Sequence, residues 1–157
     1  MPNVTREFTS DIALTPAVKQ VQARFGSRRG YDHMARSRDW ARTVTEELAR
    51  FIAQRDSFYL GTASADGQPY IQHRGGPPGF LRVLEEQTLA FADFSGNRQY
   101  ISTGNVSEND RAFVFLMDYE AQRRVKIWGR LEIVDDDHAL TNRVLPVGYG
   151  AAAERIM

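Results

Sequence analysis

Residues 57–76 read SFYLGTASADGQPYIQHRGG, and their period decides the fold. Ser57 to Ala63 is an aromatic-rich strand, and Pro69 to Arg74 is the strand that returns beside it. Between them Asp66-Gly67 is a hairpin-type turn, because glycine accepts the positive φ that short antiparallel connections require. Upstream the period is helical instead: Thr43 and Glu46 have capping-box spacing, and Leu48, Phe51 and Ile52 share one face before the helix runs out near Arg55. Downstream, Gly75-Gly76-Pro77-Pro78-Gly79 forces an irregular loop.

Two more strand pairs follow. Phe80 to Leu84 and Thr88 to Ala92 flank Glu85-Glu86-Gln87, and Ala112 to Asp118 precedes Arg123 to Val134. In the last strand Val125, Ile127, Leu131 and Ile133 face one way, while Arg124, Lys126, Trp128, Arg130 and Glu132 face the other. Gln99 to Val106 reads as a short helix, and a final helical stretch runs from Asp137 to Pro146. Six strands in hairpins with peripheral helices give a mainly β (α+β) chain built as a small antiparallel barrel. Residues 1–42, rich in Arg and Ser and broken at Gly26-Ser27-Arg28-Arg29-Gly30, read as an N-terminal arm. Residues 43–157 read as the barrel domain, with a tail after Pro146 that shows no strong pattern.

Composition narrows the chemistry. The 157 residues are 42% hydrophobic and 25% charged, enough for one core without disulfides or metals. Twenty basic and twenty acidic side chains cancel, so the excess cation that phosphate-backbone binding needs is missing and nucleic acid is not the expected partner. With no cysteine there is no thiolate metal site or thiol nucleophile. The first thirty residues carry seven charged side chains and no apolar run, so no signal peptide or membrane span is expected and a cytoplasmic location is the default. His33, His73 and His138 are far apart without ligand spacing, and no metal site is expected. G-x-G-x-x-G, P-loop, H-E-x-x-H and G-x-S-x-G motifs are all missing.

Three features remain. Gln72-His73-Arg74-Gly75-Gly76 ends a strand at two glycines, where backbone N–H groups can approach a ligand and an arginine fork can meet a phosphate or carbonyl; a polar rim with a glycine turn is the plainer reading. Phe91-Ala92-Asp93-Phe94-Ser95-Gly96-Asn97-Arg98-Gln99 runs from a strand end into a helix start, whose free N–H groups favour an anion; simple capping by Ser95 or Asn97 is the alternative. Finally, Trp128 among cations on an outward strand face calls for a cover, either a cofactor or a second subunit.

The ordered set PYIQHRGG, FADFSGNRQYI, ENDRAFVFLMD and RRVKIWGRLEIV resembles the pyridoxamine 5'-phosphate oxidase-like family of FMN-binding split-barrel proteins, over about Leu48 to Asp136. The resemblance implies a six-stranded antiparallel split β-barrel that forms a homodimer, with FMN in grooves at the interface. It implies that Gln72, His73, Arg74 and Gly75 line the flavin and ribityl chain, that Ala92 and Asp93 flank the cofactor, that Arg98 and Gln99 receive the phosphate, and that Arg124 makes a polar cofactor contact. Two positions depart from the family: its phosphate-binding Arg-Lys pair reads Arg98-Gln99, and its first cofactor-contacting Arg is replaced by Gln72, with Arg74 two residues later. The C-terminal segment with which true pyridoxamine phosphate oxidases complete their sites is also missing, so vitamin B6 oxidation is not expected and the chain reads as a truncated form of a longer protein. Three functions follow: an FMN-dependent oxidoreductase acting on an unknown small molecule, a non-catalytic flavin- or haem-binding module, and an interaction domain with an empty groove.

Overall fold

The computed structural model describes residues 7–157, which fall into two compact units, one ending at Thr43 and the other spanning Val44–Met157. In the first, a 3-10 turn at Thr9–Ile12 precedes helices α1 (Pro16–Arg24) and α2 (Arg28–Ser37). Thr15 caps α1 by accepting from the Val18 N–H, with Pro16 at the first helical position where its missing N–H costs nothing. Gly26, at φ +79°, ends α1, and the Ser27 N–H returns to the Gln22 carbonyl. Of the expected breaker only Gly26 acts as one. Gly30 lies inside α2, a helix that the charged Arg28-Arg29-Gly30 run concealed.

The second unit begins with α3 (Glu46–Ala53), capped by Thr45 through the Leu48 N–H at 3.2 Å, two residues later than the Thr43–Glu46 spacing suggests. Its apolar face delivers Phe51 and Ile52 to the core. Next come β1 (Ser57–Ala63) and β2 (Pro69–Gly75), paired antiparallel from Ser57↔Gly75 to Ala63↔Pro69 across a turn in which Gly67 has φ +91°. The hairpin is as the sequence specifies. Phe58, Leu60 and Thr62 point inward and are buried, as period-2 alternation requires. β3 (Arg82–Glu85) pairs with β4 (Thr88–Ala90), and β5 (Ala92–Phe94) follows at once. Helix α4 (Ile101–Glu108) then leads to β6 (Arg111–Asp118) and β7 (Arg123–Arg130), and α5 (His138–Val144) precedes β8 (Ala153–Ile156).

The fold class is α+β with antiparallel sheets, as expected, but the strands are divided differently. Sheet order is β2-β1-β6-β7, with separate pairs β3-β4 and β5-β8. The single strand expected over Thr88 to Ala92 splits at Phe91, whose N–H and C=O bond Met157 instead. The strand expected over Arg123 to Val134 leaves its ladder after Arg130, and Val134 bridges to Ile156 alone. Most consequential is the tail, which is not patternless: Ala153–Ile156 forms β8 against β5, and Ile156 and Met157 are buried. Four residues beginning with alanine are too short to show a period.

Phe58, Phe80 and Phe91 form the centre of the main core, with Phe58 stacked on Phe80 at 5.5 Å and edge-on to Phe91 at 5.1 Å. A smaller cluster joins Ala90, Ala92, Val144 and Ile156. The Gly75-Gly76 pair finds part of its reason here. A Cβ on Gly76 would stand 2.6 Å from Cγ of buried Phe80, so this glycine admits the ring rather than a ligand. Gly76→Ala is therefore expected to lower stability by about 1–3 kcal/mol, the usual range for overpacking, as read from the urea midpoint. An unchanged midpoint would show that the ring has room to shift.

Candidate functional site

Strand alternation sorts the first cluster. On β2, Gln72 and Arg74 are half-buried on one face, while Ile71 and His73 are exposed on the other. Arg74 bonds the Asp93 carboxylate on β5, and its guanidinium lies 5.7 Å from the Phe91 ring centroid. Gln72 reaches α4 instead, accepting from the Ser102 hydroxyl at 3.1 Å. These contacts draw β2, β5 and the start of α4 around a cleft of about 220 Å³.

The loop from Ser95 to Tyr100 forms the far wall. Gly96, Asn97, Arg98, Gln99 and Tyr100 line the cleft, and the Gln99 N–H bonds the Asn97 side chain at 3.2 Å. Arg98 and Tyr100 both take left-handed backbone, at φ +58° and +53°. Non-glycine residues rarely hold that conformation unless their surroundings over-determine it. Here the Arg98 Nε–H donates to the Tyr100 hydroxyl at 2.9 Å, which ties the two together. Tyr100 precedes the first turn of α4, so the helix begins two residues later than Gln99 and presents Ser102 and Thr103 to the cleft.

β8 supplies the remaining groups. Glu154 accepts from the Ser95 hydroxyl at 3.1 Å and lies 3.9 Å from Arg98 Nε. Arg155 Nε is 3.7 Å from the free oxygen of Asp93. Asp93 thus stands between two guanidiniums, and all three side chains are at most 16% exposed. Burial works to raise the Glu154 pKa, but the Ser95 and Tyr100 hydroxyls with Arg98 and Arg155 outweigh it and hold the carboxyl below its ordinary value. Arg98 is shifted upward, chiefly by its bond to Tyr100, so it stays cationic. Three guanidiniums, from Arg74, Arg98 and Arg155, face two carboxylates, from Asp93 and Glu154. The Nε atoms of Arg74 and Arg155 are buried without a hydrogen-bond acceptor. An uncompensated cation beside free helix N–H groups is the arrangement that receives an anion.

Of the nine residues expected to hold a cofactor, the cleft gathers Gln72, Arg74, Asp93, Arg98 and Gln99. His73 faces away and packs edge-on to Tyr59 at 5.4 Å. Gly75 is exposed at the end of β2, and Ala92 belongs to the smaller core cluster. Arg124 lies on β7, at the opposite edge of the four-stranded sheet from β2, and one chain does not bring it to the cleft. Sequence reading missed Tyr100, Ser102, Thr103, Glu154 and Arg155. Among the described residues no group of three or more His, Cys, Asp or Glu is placed to hold a metal, and no helix is long and apolar enough to cross a membrane.

Comparison with known proteins bears on this geometry. A family model described as pyridoxamine 5'-phosphate oxidase matches residues 44–153, more than half the chain. The fold is similar to that of HupZ from Group A Streptococcus, at 17% identity over 72% of this chain and 85% of that one, with a TM-score of 0.52. It is similar too to a candidate pyridoxamine 5'-phosphate oxidase from Lactobacillus delbrueckii, at 17% identity over 74% and 95% of the two chains, with a TM-score of 0.53. No curated protein matches the chain at a significant level.

Proposed function

The chain belongs to the pyridoxamine 5'-phosphate oxidase family, and from that premise we propose that it is an FMN-binding oxidoreductase that works as a homodimer. The observation that carries the reading is the cationic surplus of the cleft: Arg74 and Arg155 share one carboxylate, and Arg98 stands at the opening near the start of α4. A phosphate monoester supplies the missing negative charge, and the Arg74 and Arg98 guanidiniums that line the cleft supply donors for it. FMN fits these residues better than a dinucleotide, whose pyrophosphate has no glycine-rich turn to rest on. Arg98, Gln99 and the first turn of α4 would hold the phosphate, and Gln72 and Arg74 would meet the polar parts of the flavin. When bound, FMN supplies hydride and single-electron transfer, so the protein need contribute only position, charge and exclusion of water.

The homodimer answers a shortfall. Ligand sites are usually about 300–1,000 Å³, and this cleft is smaller, so one chain offers part of a site. The outward face of the sheet carries Tyr59, Ile71, Phe113, Phe115 and Trp128, with Trp128 packed on Phe113 at 4.9 Å and Ile71 68% exposed. A second copy set on this face by two-fold symmetry buries those rings. Ile71→Glu and Trp128→Glu are expected to yield monomers by light scattering and to lose flavin together with the dimer. A monomeric wild type that retains flavin would contradict the pairing.

The cofactor reading is tested by titrating FMN against its fluorescence. Arg98→Ala should weaken binding by about 1.5–3 kcal/mol, the worth of one charge-assisted hydrogen bond. Equal affinities would remove Arg98 from the site. Anaerobic bleaching of bound FMN by NADH or NADPH supports the oxidoreductase, and bound FMN that neither donor reduces supports a binding module.

A further inference from the structure

Arg155 lies in the stretch where the sequence showed no pattern, and its guanidinium touches both walls of the cleft. Toward β2, its Nε stands 3.7 Å from Asp93, whose other carboxylate oxygen takes Arg74. Toward the far loop, it lies over the Tyr100 ring at 5.0 Å, and the hydroxyl of that ring accepts from Arg98. Its Nη1 also reaches the Thr103 hydroxyl, in the first turn of α4, at 3.5 Å. Each cleft arginine therefore hangs on Arg155 through one intervening residue. Arg155 is in turn fixed by β8, which pairs Ala92↔Ile156 and Asp93↔Arg155 and is held by the Met157 N–H to the Phe91 carbonyl at 3.0 Å.

We propose that Arg155 is a positioning residue that makes anion binding in the cleft and the seating of β8 on β5 a single equilibrium. The inference rests on the phosphate-binding reading above. If β8 lifts, Asp93 loses one of its two cations and Arg74 is left as its sole partner. Tyr100 loses its cover at the same moment, and Arg98 loses the Glu154 carboxylate 3.9 Å from its Nε. A phosphate that needs both arginines in place must then hold β8 down, since a ligand stabilises whatever state it prefers.

The test is hydrogen exchange of the full chain at the Ile156 and Met157 amides, which bond Val134 and Phe91. FMN at 100 times its Kd should slow both amides by about 100-fold in wild type, because opening β8 abolishes binding. Arg155→Met should bind FMN at least about tenfold more weakly, the cost of losing roughly 1.4 kcal/mol, and at 100 times its own Kd those amides should no longer respond. Arg143→Met, on the exposed side of α5, should keep wild-type affinity and response. FMN binding by wild type without a change at Ile156 and Met157 overturns this inference and leaves the FMN reading standing. Failure of wild type to bind FMN overturns both.

Discussion

Asp93→Ala is expected to cost about 3–5 kcal/mol of unfolding free energy, the range measured when one partner is removed from a buried ion pair. Asp93 is 10% exposed at its side chain, Arg74 12% and Arg155 16%, so solvent cannot replace the lost charge. Without the carboxylate Arg74 loses its acidic partner and Arg155 keeps only Glu154 at 3.1 Å, and each has a buried Nε that already has no acceptor. Urea unfolding at neutral pH measures the loss. Added inorganic phosphate should restore part of it, and more in the variant than in wild type, because the anion enters where the carboxylate stood. A loss below about 1 kcal/mol, the worth of a solvent-exposed pair, would mean that the cluster is wet and that its surplus charge attracts nothing.

Phe58→Ala should be as damaging for a different reason. Phe58 is 1% exposed, stacks on Phe80 and meets Phe91 edge-on, so truncation leaves a void among rings that cannot collapse into it. Phe-to-Ala changes in such cores cost about 3–5 kcal/mol. The loss should appear in the urea midpoint and should be the same with or without phosphate. That insensitivity separates a packing defect from the electrostatic defect of Asp93→Ala. Phosphate stabilisation of Phe58→Ala beyond that of wild type would contradict the separation.

These two positions also mark how far the sequence could be read. Phe58 lies in a hairpin whose alternation, Asp66-Gly67 turn and register are all local, and local signals survive without knowledge of the rest of the chain. Arg74, Asp93 and Arg98 stood out because each is a polar residue at the end of an element, where ligands are met. Arg155 gave no such signal. Its role depends on a four-residue strand that exists because β5 offers it an edge, and pairing between residues 92 and 156 has no local signature. His73 shows the opposite case: it sits among binding-type residues, and a period of two sends it to the other face of β2, against Tyr59. The αL residues Arg98 and Tyr100 explain the late start of α4, and side chains with a Cβ do not announce that backbone.

The central claim is that the cleft selects a flavin by its phosphate, and calorimetric titration of the wild-type chain with FMN and with riboflavin tests it most directly. The account predicts one FMN per chain, bound at least about 100-fold more tightly than riboflavin, since two charge-assisted hydrogen bonds at roughly 1.5 kcal/mol each give that ratio. Equal affinity for the two flavins, or no binding of either, would contradict it.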